Sequence, residues 1–209
     1  KNQLLDTFKK MREEGHEFGF DVGLEDAQYL AEVNHQAIGQ TVVAARVAMD
    51  WLQDSAKVVA SNGLPISWVT PSGLPVLQSY RKVLGKHYDF DIEGKRFRMM
   101  LKVEGDELDR RRQSSGISPN FVHSLDAAHL MRSICYSLNA GISSFAMIHD
   151  SYGTHASDAD SLGKQLRQAF VDQYSTNVLE DFRRQMIDGL PEELSAKIKP
   201  IPAMGNLEL

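Results

Sequence analysis

The sequence predicts an α+β fold in which helices pack on short antiparallel hairpins. Three observations predict it. Apolar residues recur at helical spacing from residue 24 to 56, two segments between 65 and 103 alternate as paired strands do, and a helix, a tight hairpin and two further helices follow from residue 118. With 209 residues, the chain can build one sizeable core, or one domain with appendages.

Composition excludes several classes of protein. The single cysteine, Cys135, rules out a disulfide framework and a cysteine-based zinc site. No apolar run approaches the roughly 20 residues of a membrane span, and no signal peptide is visible, so we expect no membrane partner. The chain opens on Lys1 and stops at Leu209 in mid-pattern, so we expect a piece of a longer protein.

Charge is unevenly distributed along the chain. The net charge is −5, yet residues 81–112 contain ten Lys and Arg against seven Asp and Glu. This local excess suggests a polyanionic partner, and a solvated charged segment would look the same.

The first quarter of the chain predicts helices. Residues 1–14 can be helical, and Gly15 and Gly19 interrupt the pattern. Beyond them a 3–4 spacing joins Ala27, Leu30, Ala31, Ile38, Val42, Ala45, Met49, Leu52 and Ala56. Gly39 leaves two alternatives open, one long helix with a weak point or two helices. Asn62 and Gly63 then stop the helix.

Two hairpins follow. In the segment 65–80, β-branched and aromatic residues flank a turn at 71–73. In the segment 87–103, alternation separates an apolar face from a polar one. The first strand contributes Tyr88, Phe90 and Ile92 to the apolar face, and His87, Asp89, Asp91 and Glu93 to the polar face. The turn falls at 93–94 or 94–95.

The last third predicts a helix, a hairpin and two more helices. Ser118 is a plausible N-cap and Pro119 suits the first helical position, so the helix would run to about Leu138 and end at Gly141. The apolar run to Ile148 reads as a buried strand, followed by a turn and a second strand. Further helices are expected after the N-cap Ser157 and over 176–188, with an extended tail from 200.

Asp150 ends the apolar strand, at a turn that exposes its side chain. Carboxylates held rigidly near a phosphate are what magnesium-dependent phosphoryl transfer requires, because hard Mg²⁺ prefers oxygen ligands. The alternative is that Asp150 and Ser151 are simply turn formers. Asp158 and Asp160 lie nearby, and helix capping explains them without a metal.

One stripe of the helix from residue 119 is polar at its start. It comprises Asn120, His123, Ser124, Ala127, Met131 and Cys135. Its apolar end predicts that it faces a core, and a core face that turns polar usually borders a cleft. A buried histidine that stabilises the helix entry is the alternative. His129 faces another side of the helix, so a metal pair with His123 is not expected.

Basic residues occur on the second hairpin, at Lys95, Arg96 and Arg98. A two-stranded ribbon fits the major groove of DNA, where Arg and His can bond base edges. An exposed hairpin of mixed charge is the alternative.

The order of these segments closely resembles the single-subunit RNA polymerases of bacteriophages and mitochondria. The resemblance runs from about residue 16 to the end. It is carried by SWVTPSGLPV at 67–76, PNFVHSLD at 119–126, IHDSYGT at 148–154, VLEDF at 178–182 and GNLEL at 205–209.

The resemblance implies roles for individual residues. Asp150 matches one of the two catalytic aspartates of the family, which together bind two Mg²⁺ ions for nucleotidyl transfer of ribonucleotides on a DNA template. His123 matches a histidine near the RNA end that helps sense the 2′-hydroxyl. Possible neighbours of the site are His149, Asn120 and Ser124. The hairpin at 86–104 matches the promoter-reading loop, with His87, Arg96 and Arg98 near its base-reading positions.

The resemblance also implies a division of the chain. Residues 1–64 correspond to fingers helices, 65–117 to a fingers sheet segment with the promoter hairpin, and 118–209 to the C-terminal palm, with the motif C hairpin at 143–155. The expected partners are promoter and template DNA, ribonucleoside triphosphates, the RNA product and the N-terminal part of the same polymerase. The expected location is the cytoplasm, that of an infected bacterium if the source is a phage.

The family's other catalytic aspartate would precede residue 1. One carboxylate cannot hold two ions, so we expect these residues alone to be inactive. Two other interpretations remain. One is a related DNA polymerase, although its motif C usually continues His-Asp-Glu where this chain has Ser151. The other is a non-catalytic DNA-binding module built around the hairpin.

Overall fold

The computed structural model describes residues 2–19 and 22–203, in two compact units. The first unit holds the chain up to Ala48 together with the chain from Pro202, and the second holds Met49–Ile201. The expectations for Phe20, for the extended tail at 204–209 and for its GNLEL motif lie outside the described residues.

The first unit is helical, as predicted. It contains α1 (Asn2–Glu13), α2 (Leu24–Thr41) and the beginning of α3 (Val43–Ser61). Of the two alternatives for the long helical segment, two helices are found, and they separate at Val42 rather than at Gly39. Asp26 accepts a hydrogen bond from the Gly23 N–H at 2.9 Å and so caps the start of α2.

The core of the second unit is built from α3, the first hairpin, α4 and α6. Phe182 lies at its centre, with ring centroids 4.7 Å from Phe121 and 5.6 Å from Trp68. Trp68 also donates its indole N–H to Ser124 Oγ at 2.9 Å. Other buried members of this core are Trp51, Leu52, Ala56, Val59, Ile66, Ile117, Leu125, Met186 and Ile198.

Helix α4 runs from Arg110 to Asn139, so the predicted start at Pro119 is wrong. Asp109 is the N-cap and accepts a hydrogen bond from the Arg112 N–H at 3.0 Å. Pro119 is tolerated inside the helix because the preceding turns are held by buried side chains. Gln113 exchanges hydrogen bonds with Gln78 of the first hairpin, and Ile117 is fully buried. The predicted end is confirmed, with Gly141 at a φ of 90°.

The strands form three separate antiparallel hairpins. They are β1 (Ile66–Val69) with β2 (Pro75–Gln78), β3 (Arg81–Ile92) with β4 (Lys95–Leu108), and β5 (Ala146–Ile148) with β6 (Ser151–Gly153). In the second hairpin the turn is Glu93–Gly94, and both residues have positive φ, as a type I′ turn requires. No residue of β3 or β4 is buried, so both faces of this ribbon are exposed.

The remaining elements are a 3₁₀ turn at Ala156–Asp158, α5 (Ala159–Tyr174), α6 (Val178–Asp188) and the short α7 (Glu192–Ser195). The predicted N-cap Ser157 is wrong, because this residue lies inside the 3₁₀ turn that leads into α5. Asn177 caps α6 by accepting from the Glu180 N–H at 3.2 Å. Within the described residues, no helix is both long and apolar enough to cross a bilayer.

Candidate functional site

An open cavity of about 820 Å³ lies between α4 and the turn that joins β5 to β6. Helix α4 contributes His123, Asp126, Ala127 and Leu130, and the turn contributes His149 and Asp150. The structure therefore brings together three residues that the sequence singled out on separate elements, namely His123, His149 and Asp150.

The turn itself presents Asp150 to solvent. Ile148 pairs with Ser151, which leaves His149 and Asp150 as a two-residue connection. His149 has a φ of 54°, in the left-handed region that non-glycine residues seldom occupy. Backbone strain of this kind is concentrated at functional sites. The expectation of a buried strand is wrong, since Ile148 is 70% exposed, and the hairpin lies at the surface beside the cavity.

One side-chain hydrogen bond attaches the hairpin to α4, and another closes its base. The Tyr152 hydroxyl lies 3.1 Å from His129 Nδ1, and His129 Nε2 lies 3.0 Å from the Leu166 carbonyl oxygen. Because a carbonyl can only accept, Nε2 carries the proton in the neutral imidazole and Nδ1 accepts from Tyr152. Thr154 Oγ1 donates to the Ser144 carbonyl at 2.8 Å and closes the base of the hairpin.

Two nearby carboxylates affect the ionisation of Tyr152 in this hairpin. The pKa of the Tyr152 hydroxyl is raised, first by burial and then by the negative charges of Asp126 and Asp150. Asp126 was not singled out as a site residue from the sequence. A signal was present, because it stands three residues after His123, at the spacing that puts two side chains on one helix face.

Two other predicted neighbours are not brought into the cavity. Asn120 donates to Gln78 Oε1 at 2.8 Å and to the Tyr80 hydroxyl at 2.9 Å. Ser124 is buried beneath Trp68. The stripe that was expected to face the core, including Ala127 and Cys135, is instead exposed along much of its length.

The core face of α4 is set by other residues. Ile117, Phe121, Leu125 and Ala128 are the buried apolar residues of this helix, and they turn His123 outward. His123 thus borders a cavity, although the stripe on which the cleft interpretation was based is not the face that packs on the core. His129 does not line the cavity and bonds to Tyr152 instead.

The second candidate surface is the polar face of the β3–β4 ribbon. The register places His87 opposite Met100, Asp89 opposite Arg98 and Asp91 opposite Arg96. The predicted polar face is thus confirmed. His87, Arg96 and Arg98 share it, and both arginines are paired with a carboxylate of the same ribbon.

The donor set of the cavity fits part of a magnesium site. Asp150 offers carboxylate oxygens at an exposed turn, which suits a hard cation. Over residues 2–19 and 22–203, no group of three or more His, Cys, Asp and Glu side chains is arranged to hold a metal ion. The described residues alone therefore do not form a complete ligand set for such an ion.

Comparison with known proteins identifies the family. A family model described as DNA-dependent RNA polymerase matches residues 1–205. The chain belongs to the DNA-dependent RNA polymerase family. The resemblance found in the sequence is confirmed.

Members of this polymerase family from phages and plants align with the chain. It is 40% identical over 225 residues to the DNA-directed RNA polymerase of Enterobacteria phage T3 and 37% identical over 223 residues to T7 RNA polymerase of Escherichia phage T7. Each alignment covers 99% of this chain and 25% of the phage protein. The mitochondrial DNA-directed RNA polymerase 1 of Nicotiana sylvestris is 40% identical over 183 residues, which cover 88% of this chain and 18% of that polymerase.

Proposed function

We propose that this chain is the C-terminal part of a phage-type DNA-directed RNA polymerase and that its open cavity is one wall of the active site. The observation that carries the proposal is that His123 of α4 and Asp150 of the β5–β6 turn line the same cavity. Since the chain spans about a quarter of its phage relatives, the remaining walls would come from the rest of the polymerase.

In this proposal each residue at the cavity has a distinct task. The Asp150 carboxylate supplies one oxygen ligand. Magnesium, when bound, would activate the attacking hydroxyl and neutralise the charge of the triphosphate. His123 faces the cavity from a rigid helix and can bond a sugar hydroxyl at the RNA end. Asp126 adds negative charge on the same face, which favours retention of a cation, and His149 holds Asp150 at the outer position of the turn.

The same proposal covers the larger divisions and the partners. Residues 1–64 would be fingers helices, 65–117 a fingers segment with the promoter hairpin, and 118–209 the C-terminal palm. The partners would be template and promoter DNA, ribonucleoside triphosphates and the RNA product. His87, Arg96 and Arg98 would face promoter DNA from the polar side of the ribbon.

A fusion tests the proposal without knowledge of the promoter. In the fusion polymerase, this chain replaces the aligned quarter of phage T3 RNA polymerase. The assay is extension of an RNA primer annealed to a DNA template, with ribonucleotides or deoxynucleotides. We expect ribonucleotide extension by the fusion and none by the isolated chain. A folded fusion that extends nothing, or an isolated chain that extends the primer, would contradict the proposal.

The same assay separates the two alternatives. A DNA polymerase would extend the primer more readily with deoxynucleotides than with ribonucleotides. A non-catalytic DNA-binding module would leave Asp150 without a role in synthesis, so that Asp150→Asn in the fusion would retain full extension. The polymerase proposal requires the opposite result in both measurements.

A further inference from the structure

Both arginines on the polar face of the β3–β4 ribbon converge on one carboxylate. Arg98 donates from Nε to Asp89 Oδ1 at 2.7 Å and from a terminal nitrogen to Oδ2 at 3.1 Å. Arg96 places a terminal nitrogen 3.7 Å from the same Oδ2. The hydrogen bond from Arg98 lowers the pKa of Asp89, so the carboxylate stays ionised at neutral pH.

The arrangement is not what the strand register alone dictates. Arg96 stands directly opposite Asp91, yet its guanidinium group leans diagonally toward Asp89. Asp91 makes no ion pair with any residue that the structure describes. Of these two acidic residues on one strand and one face, only Asp89 contacts the arginines.

The arginines remain accessible despite this pairing. The side chains of Arg96 and Arg98 are 76% and 69% exposed, whereas that of Asp89 is 32% exposed. The carboxylate contacts both guanidinium groups, which remain largely exposed. A ligand that approached this face would meet the arginines first and would compete with Asp89 for their N–H groups.

We propose that Asp89 is a specificity-determining residue that withholds Arg96 and Arg98 from the phosphates of DNA of arbitrary sequence. The proposal rests on the proposed promoter-reading role of the ribbon, in which Asp89 has no assigned part. A phosphate can also accept from both arms of an arginine, but it is anionic and is repelled by the Asp89 carboxylate that already holds both guanidinium groups. The N7 and O6 acceptors of a guanine edge match the same arginine fork and carry no net charge, so Asp89 does not repel them.

Asp91 supplies a matched control for this proposal. Asp89→Asn and Asp91→Asn each remove one negative charge from the same strand and the same face. Only the first releases the arginines. A general change in electrostatic attraction would therefore appear equally in both variants, whereas release of the arginines would appear in one.

The test is the affinity of the full 209-residue chain for a fluorescein-labelled DNA duplex of mixed sequence, measured by anisotropy between about 50 and 200 mM salt. We expect Asp89→Asn to tighten binding about 5- to 10-fold at the lower salt concentration, and to steepen the dependence of log affinity on log salt by about 1 to 2, since each phosphate contact contributes about 0.9. Asp91→Asn should tighten binding by less than about 2-fold without a change in slope.

Three results of the binding measurement would overturn the proposal. They are equal effects of the two substitutions, weaker binding by Asp89→Asn, and the absence of measurable binding by all three proteins. A solution measurement checks the pairing directly, because the Arg98 Nε–H resonance should be protected in the wild-type chain and in Asp91→Asn but not in Asp89→Asn. An unprotected resonance in the wild-type chain would also overturn the proposal.

Failure of this proposal is distinguishable from failure of the proposed function. Primer extension by the fusion polymerase needs no promoter and does not depend on Asp89. A fusion that extends RNA while Asp89→Asn behaves like Asp91→Asn would retain the polymerase and reject the role of Asp89. An inactive fusion with a selective effect of Asp89→Asn on DNA binding would reject the polymerase proposal and retain the role of Asp89.

Discussion

The hydroxyl of Tyr152 lies 3.1 Å from Nδ1 of His129, and this bond joins the hairpin that carries Asp150 to the helix that carries His123. Neither residue lines the cavity. Their hydrogen bond lies outside the cavity lining, and His129 also contacts the Leu166 carbonyl oxygen of α5. The position of the Asp150 carboxylate relative to His123 thus depends on a contact that is separate from the site itself.

Replacement of Tyr152 by Phe should loosen the hairpin without unfolding the chain. The substitution removes one half-buried hydrogen bond, so the free energy of unfolding should fall by about 1 kcal/mol in urea denaturation. Amide resonances of residues 149–151 should shift or broaden. Tyr29→Phe is a suitable control, because Tyr29 is 67% exposed. Unchanged stability and unchanged resonances at 149–151 would show that Tyr152 does not hold the hairpin.

Replacement of His123 by Ala in the fusion polymerase should weaken the preference for ribonucleotides. Loss of one hydrogen bond to a sugar hydroxyl is worth about 1 kcal/mol, so the ratio of ribonucleotide to deoxynucleotide incorporation should fall by about 5-fold, with a moderate loss of rate. His155→Ala is the control, since His155 is exposed and does not line the cavity. The same ratio in His123→Ala and in the unmodified fusion would remove His123 from the site.

Replacement of Gln113 by Ala should destabilise the second unit. Gln113 is fully buried, accepts from Gln78 Nε2 at 2.8 Å and donates to the Gln78 carbonyl at 3.0 Å. The substitution removes the donor to the buried Gln78 carbonyl and one of the two acceptors of Gln78 Nε2, at a cost of about 1 to 3 kcal/mol in the free energy of unfolding. The exposed Ser115 lies on the same turn of α4, and Ser115→Ala should cost much less. Equal losses in the two variants would mean that the Gln78–Gln113 pair does not hold the start of α4.

The contact between Tyr136 and Asp172 should make stability depend on pH in the acid range. Tyr136 donates to Asp172 Oδ2 at 2.6 Å and lowers the pKa of that carboxyl below its usual 3.8, with a smaller contribution from Gln168. Because the pKa of Asp172 is lower in the folded protein than in the unfolded chain, its ionised carboxylate stabilises the fold at pH values above the unfolded pKa. This contribution is lost as the pH falls through the folded pKa. The stability difference between wild type and Tyr136→Phe should therefore shrink below about pH 4. A difference that stays constant from pH 7 to pH 3 would contradict this interpretation.

The sequence predicted an element well where the alternation or spacing of its apolar and polar residues determines its structure. Alternation from residue 87 to 103 gave the ribbon and its polar face, and the residues at 93 and 94 allowed a tight turn. The start of α4 was mispredicted because Ser118 and Pro119 imitate a helix entry. The helix actually begins after the N-cap Asp109. Gln113 and Ile117 bury the first turns of α4 against the core, and a short stretch of sequence does not reveal that packing.

Three residues of the cavity, His123, His149 and Asp150, could be named from the sequence, whereas Asp126 and the contacts that support the cavity could not. His123 and Asp150 stand out by type and by position, and the family motif joins them. The bond between Tyr152 and His129 spans 23 positions and depends on the tertiary arrangement. The pairing of Arg96 and Arg98 with Asp89 depends on side-chain rotamers that alternation does not specify.

The role of Asp150 is tested by the rate of RNA primer extension by the fusion polymerase with Asp150→Asn, measured beside Asp160→Asn. Asp160 is another exposed aspartate of the same segment and does not line the cavity. If Asp150 holds magnesium, its loss should lower the rate by about 10³-fold or more while binding of the primer–template stays within about 2-fold, and Asp160→Asn should be unaffected. Extension by Asp150→Asn at the rate of the unmodified fusion would contradict the assignment of this cavity as the active site.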